Sequence, residues 1–205
     1  MDELNGLASG LIRIGTFSSV TTHWLPKIIR EFQKDYPNIE YELLLGDYTE
    51  IEEWIAEGRV DCGFLRLPAQ REFETIFLEQ DELVAILPEG HPLAARERVP
   101  AAALCGEPFL LLEKGAKAEI SAIFERCGLT PQVRFTTWDD YAVMSMVESG
   151  LGVSILPKLI LRRIPYRIAA RGLEPPAYRS IGLALRDRKT APPAVRHFLE
   201  YLRYR

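Results

Sequence analysis

Residues 144–157 read MSMVESGLGVSILP, and the order of elements around them decides which kind of α/β protein this is. The Gly-Leu-Gly invites comparison with a phosphate-binding loop. Such a loop follows a strand and opens a helix, so that free N–H groups of the first turn face the phosphate. Here the order is reversed. In 139–149 (DDYAVMSMVES), Val143, Met146 and Val147 recur at helical spacing, and Asp139 or Asp140 stands in position to cap the start. Gly150 then falls where a helix end needs positive φ. Residues 152–156 (GVSIL) read as a short buried strand, stopped by Pro157. The stretch is a tight helix-to-strand joint, not a phosphate loop.

Working outward, the joint closes a β-α-β-α-β set over 109–156. FLLLE is its first strand, a helix follows over 116–127 with Ile120, Ile123, Phe124 and Cys127 on one face, and QVRFTT is its second strand. A similar set opens the chain. LIRIG (11–15) is a strand, and HWLPKIIREFQKDYP carries Leu25, Ile28, Ile29, Phe32 and Tyr36 on one helical face. IEYELLL (39–45) is the second strand, a helix over 49–57 ends at Gly58, and VDCGFL (60–65) is the third strand. Each set calls for a parallel sheet with right-handed crossovers. Between them, 75–87 give two extended runs with a polar break at Glu79-Gln80-Asp81, followed by a proline-punctuated connection with a short helix at 100–104. RSIGLALR (179–186) adds a strand, and a closing helix from Pro192-Pro193 turns Val195, Phe198, Leu199 and Leu202 inward.

Two successive sets predict two Rossmann-like α/β lobes with a cleft. Ligands of open parallel sheets lie outside the carboxyl ends of the strands. That singles out loops 16–22, 46–49 and 65–69 of the first set, and 113–117 and 137–140 of the second. Helix-start N–H groups there favour an anionic or carboxylate ligand.

Composition narrows the function. The 205-residue chain has a formal net charge of −4, which argues against a nucleic-acid-binding surface. Arg162, Arg163, Arg167 and Arg171 are interleaved with apolar residues and read as a solvated rim. Three cysteines without a CxxC spacing point to neither a disulfide framework nor a metal site, and reduced thiols fit a cytoplasmic setting. No apolar run approaches the ~20 residues of a membrane span, and MDELNGLASG is not a signal peptide. His23, His91 and His197 are far apart, and neither a GxSxG elbow nor a paired-histidine spacing occurs. The expectation is a non-enzyme without cofactor or metal.

Four motifs in register carry a resemblance. RIGTFSSVTTHWLPKIIREFQKDYPNIEYEL, GDYTEIEEWIAEGRVDCGF, GHPLA at 90–94 and MVESGLGVSILP together resemble the effector-binding domain of LysR-type transcriptional regulators, over about residues 9–204. The resemblance implies a periplasmic-binding-protein-like (type 2) fold. It implies lobe I over 1–80 plus 175–205 and lobe II over 81–174, with a small-molecule effector in the cleft. It implies a homodimer, in which the helix at 22–36 and strand 39–45 pack antiparallel on the partner's 116–127 helix and 132–136 strand, and a homotetramer at full length. DNA would be reached only through an N-terminal winged helix-turn-helix domain that this sequence lacks.

The resemblance also suggests site residues. Ser18 and Ser19 match a family pocket position after the first strand, although they are equally placed to cap the helix that follows. Tyr48, preceded by Asp47, stands where the family usually has Thr or Ser. A tyrosine there narrows the pocket or offers its phenol. Arg66 is placed to pair with a carboxylate. Lobe II offers Lys114, Trp138 as a stacking surface, and Asp139, whose simpler role is a helix cap. Asp47 and Asp139 facing Arg66 would suit a zwitterion such as an amino acid. A secreted solute-binding protein is the alternative that shares cleft and lobes.

Overall fold

In a computed structural model, residues 9–113 and 118–205 are described. The chain forms two compact units, one of residues up to Gln80 with Ser180–Arg205, the other Asp81–Arg179. The second crossing between these units falls between Arg179 and Ser180.

The first unit opens with β1 (Gly10–Thr16), α1 (Ser18–His23), α2 (Leu25–Asp35), β2 (Ile39–Leu45), α3 (Tyr48–Glu57) and β3 (Cys62–Leu67). β1 pairs parallel with β2 on one side and β3 on the other. Each strand is reached by a helical return from the last, the condition for parallel neighbours. The first helix differs from the reading above, because it is two segments meeting at Trp24. Pro26 has no N–H to give to the carbonyl of residue 22, so a continuous helix cannot pass. Leu25, Ile28 and Phe32 are buried, while Phe32 meets Phe198 edge-on at 5.5 Å. Phe198 belongs to α7 (Pro193–Glu200), which closes this unit. The glycine of VDCGF has a packing reason. A Cβ at Gly63 would come within 2.6 Å of Ile51 on α3, so its absence lets that helix settle onto β3.

Two long strands, β4 (Glu74–Pro88) and β9 (Ile168–Leu185), run from one unit to the other. The polar triplet 79–81 does not break β4, because Asp81 is buried against a partner described below. Strand pairing in each unit is mixed rather than purely parallel: β9 runs antiparallel to β3 in the first unit, and β4 runs antiparallel to β8 (Val153–Pro157) in the second.

The second unit contains β5 (Arg98–Pro100), α4 (Ala101–Leu104), β6 (Pro108–Leu112), α5 (Ser121–Arg126), β7 (Gln132–Thr137) and α6 (Asp140–Glu148) before β8. β6 pairs parallel with both β7 and β8. One side of this sheet packs Leu87, Phe109, Phe124 and Ile155, and the other packs Ile86, Leu110, Val143 and Leu156. Gly150 (φ +75°) and Gly152 (φ +156°) turn the chain from α6 into β8, the joint expected from residues 144–157.

Candidate functional site

β1 and β2 end side by side, with Thr16 opposite Leu45, while β3 runs on from the Gly15–Gly63 pair to Leu67. The residues after β1 and β2 and the last residues of β3 therefore lie at the same end of the sheet. Thr16 is buried, and its hydroxyl lies 3.0 Å from that of Thr21, tying the strand end to α1. Ser18 is half-buried and Ser19 buried within the first turn of α1. The position before the helix is Phe17, which makes no side-chain cap. The serines are thus not the N-cap of a following helix, and that alternative role is removed.

At the second loop, Asp47 caps α3 in a reciprocal arrangement. Its carboxylate accepts from the Glu50 amide at 2.9 Å, and the Glu50 carboxylate accepts from the Asp47 amide at 2.9 Å. Two carboxylates thus serve the Asp47 and Glu50 amides at a helix start where the sequence suggested free N–H groups. Asp-x-x-Glu is the sequence signature of such a box, so Glu50 was within reach of a sequence reading.

Tyr48 is the first residue of α3 and only 4% exposed. Its ring meets Phe17 edge-on at 5.3 Å, and the Arg66 guanidinium lies over it, 5.6 Å from the ring centre. The ring quadrupole attracts the cation, at about 0.5–1 kcal/mol for a partly exposed pair. Phe17 before α1, Tyr48 at the start of α3 and Arg66 near the end of β3 thus meet at one place. Behind them, Glu52 is 2% exposed and accepts from the amides of Gln70 at 3.1 Å and Arg71 at 3.2 Å. It fastens the loop that follows Arg66. A glutamate on the inward side of an amphipathic helix carries no signal that its partners are backbone amides eighteen residues on.

In the second unit, β6 and β7 also end together, and the Glu113 amide donates to the Thr137 carbonyl at 3.1 Å. Trp138 is half-buried there. Asp139 is exposed, and its Oδ1 accepts from the Tyr141 amide at 2.9 Å and the Ala142 amide at 3.1 Å, the capping role foreseen for it. Lys114 lies outside the described residues.

A groove of about 470 Å³ opens beyond β3, lined by residues that include Leu67, Pro68, Phe73, Phe77 and Ser180. Neither Tyr48 nor Arg66 lines it. Among the described residues there is no group of three His, Cys, Asp or Glu able to hold a metal ion. His91 is a cap, accepting from the Leu93 amide at 3.2 Å. Burial pushes the Cys62 thiol well up, with the nearby Asp61 charge adding to it, so this cysteine is held as the thiol. No helix among the described residues is long and apolar enough to cross a membrane.

The family described as LysR substrate binding domain matches residues 5–205. An uncharacterised HTH-type transcriptional regulator of Bacillus subtilis strain 168, YvbU, is 33% identical over 197 residues, covering 95% of this chain and 67% of that protein. The crystal structure of HinK, a LysR family transcriptional regulator from Pseudomonas aeruginosa, superposes with a TM-score of 0.82 at 30% identity, over 95% of this chain and 70% of that one. The CcmR regulatory domain of Synechocystis PCC6803, solved in complex with 2-PG, superposes with a TM-score of 0.87 at 22% identity, over 95% and 96% of the two chains. The fold is therefore that of LysR effector-binding domains, the periplasmic-binding-protein-like type 2 fold.

Proposed function

This chain belongs to the LysR substrate-binding family, and we propose that it is the effector-sensing and dimerisation region of a LysR-type transcriptional regulator, working in the cytoplasm. The observation that carries the site within it is the meeting of Tyr48 and Arg66 at the carboxyl ends of the parallel strands. The effector is a small anion, a carboxylate or amino acid. Arg66 pairs with its anionic group, Ser18 and Ser19 offer hydroxyls, and Tyr48 limits its size. Asp47 has a second carboxylate oxygen beyond the one that caps α3, which suits an ammonium group. Trp138, in the second unit, offers a half-buried ring where β6 and β7 end. DNA is bound through a separate helix-turn-helix domain of the whole regulator. The complex of the CcmR domain with 2-PG supports a small-molecule ligand as the input.

A thermal-unfolding screen against small carboxylates, amino acids, aromatic acids and amines tests this reading. A ligand at about 100 times its dissociation constant stabilises by about 2.7 kcal/mol, a rise of several degrees for a chain of this size. Arg66→Ala removes a charged hydrogen-bond partner worth about 1.5–3 kcal/mol. It is expected to weaken the selected acid about 10- to 100-fold. Equal binding of that acid by wild type and Arg66→Ala would sink the assignment of Arg66.

Two apolar strand edges support a dimer. β2 and β7 stand at the two ends of the strand order, and each presents apolar side chains to solvent: Leu43 and Leu45 at 41% and 60%, Val133 and Phe135 at 42% and 40%. Bare apolar edge strands invite pairing with another chain. We expect α2 and β2 of one protomer to pack antiparallel on α5 and β7 of its partner, with tetramers formed by the whole regulator. Leu45→Glu should raise the dimer dissociation constant by about 30-fold, the effect of losing some 2 kcal/mol at an interface centre. Sedimentation equilibrium reads it directly, and a wild-type chain that stays monomeric at high concentration would rule the dimer out.

A further inference from the structure

The two chain segments that join the units are tied to each other by a buried ion pair. Asp81 is the first residue of the second unit and Arg179 its last. Their side chains are 5% and 4% exposed. Arg179 donates to one Asp81 oxygen twice, from Nε at 2.9 Å and from its terminal nitrogen at 2.7 Å. The other oxygen accepts from the Leu159 amide at 3.0 Å. Leu159 sits in the short turn Lys158–Leu161 that directly follows β8. One carboxylate therefore holds the entering strand, the leaving strand and the end of β8. The neighbouring Glu82 adds Lys158 at 3.3 Å and Arg98 at 3.8 Å, but these cations are well exposed and count for little.

We propose that Asp81 and Arg179 form a hinge latch: they lock the two crossing strands together where both leave the second unit, and so restrict the range of orientations the units adopt. A pair of independent strands can shear past each other, whereas a pair pinned by two directed hydrogen bonds and a third to a turn moves as one block. Effector-driven switching needs a small set of discrete arrangements whose populations a ligand biases. The latch supplies that restriction at the strands themselves. It depends on the division into units and not on the identity of any ligand, so it stands or falls separately from the effector assignment.

Two measurements on the 205-residue chain test it without ligand. In the wild type, amide hydrogen exchange should find the Leu159 N–H protected like the β8 amides of Ile155 and Leu156. Exchange at the rate of an open amide would mean that the latch does not form, and would overturn the proposal. Spin labels on Glu53→Cys and Arg96→Cys, in a Cys105→Ser, Cys127→Ser background diluted with unlabelled chain, then report the unit-to-unit distance. The wild-type pair should give a narrow distribution. Asp81→Asn keeps an acceptor for Leu159 but loses the charge that holds Arg179, and should broaden the distribution to distances absent from wild type. An unchanged width would overturn the latch. Should Asp81→Asn not fold, Arg179→Lys, which keeps the charge but not the two-pronged grip, is measured under the same criterion.

Discussion

Replacing Gly152 with alanine is expected to lower the unfolding free energy by about 3–5 kcal/mol, at the upper end of single-residue effects. Gly152 has φ +156°, a conformation closed to side chains without strain of about 1–3 kcal/mol. A Cβ there would lie 2.3 Å from the carbonyl oxygen of Pro108 and 3.0 Å from its carbonyl carbon. Those atoms begin β6, whose Phe109 is paired with Val153 in the parallel ladder. The backbone cannot retreat without unzipping strands at the middle of the second unit's sheet. Gly150, two residues earlier, is the internal control. It also has positive φ (+75°), but a Cβ there meets nothing within 4 Å. Gly150→Ala should cost only the left-handed penalty, about 1–2 kcal/mol. Urea unfolding of the two variants separates clash from conformation, and a Gly152→Ala protein within 1 kcal/mol of Gly150→Ala would refute the argument.

That contrast also marks how far the sequence could be read. Gly150 was legible as a helix end because the periodic apolar positions of α6 stop there. Gly152 was legible as part of a joint, but the carbonyl it avoids lies on another strand, and no local pattern announces it. The same division runs through the rest of the molecule. Residues 39–45, 132–137 and the closing helix follow from their own apolar spacing. The start of α2 at Leu25 is also written locally, in Pro26 and in an apolar face that begins there. The unbroken β4 was not legible. Asp81 reads as a break in a strand until its partner is known, and that partner is ninety-eight residues away. At the candidate site, positions after strand ends came from connectivity, whereas the stacking of Arg66 on Tyr48 and the fastening of the next loop by Glu52 come from the packing of α3 beside the end of β3.

The largest electrostatic effect is expected at the latch. Arg179→Met should destabilise the chain by about 3–5 kcal/mol, the usual result of leaving one member of a buried ion pair without the other. The loss is not a measure of the pair's net attraction. Two charges taken out of water forfeit much of what their contact returns, and the variant forfeits all of it while Asp81 stays buried. Removing both charges is therefore expected to be milder than removing one. Asp81→Leu with Arg179→Met should recover much of the stability, short of wild type by about 1–3 kcal/mol, because the Leu159 amide then has no acceptor. A double-mutant cycle in urea isolates the coupling between the two sites. If the double variant is as unstable as the sum of the singles, the two side chains act independently and the ion pair is not what holds the crossing strands. If the singles are each costly and the double is not, the pair has the character the latch requires: nearly neutral in net stability, and strict about which strands lie side by side.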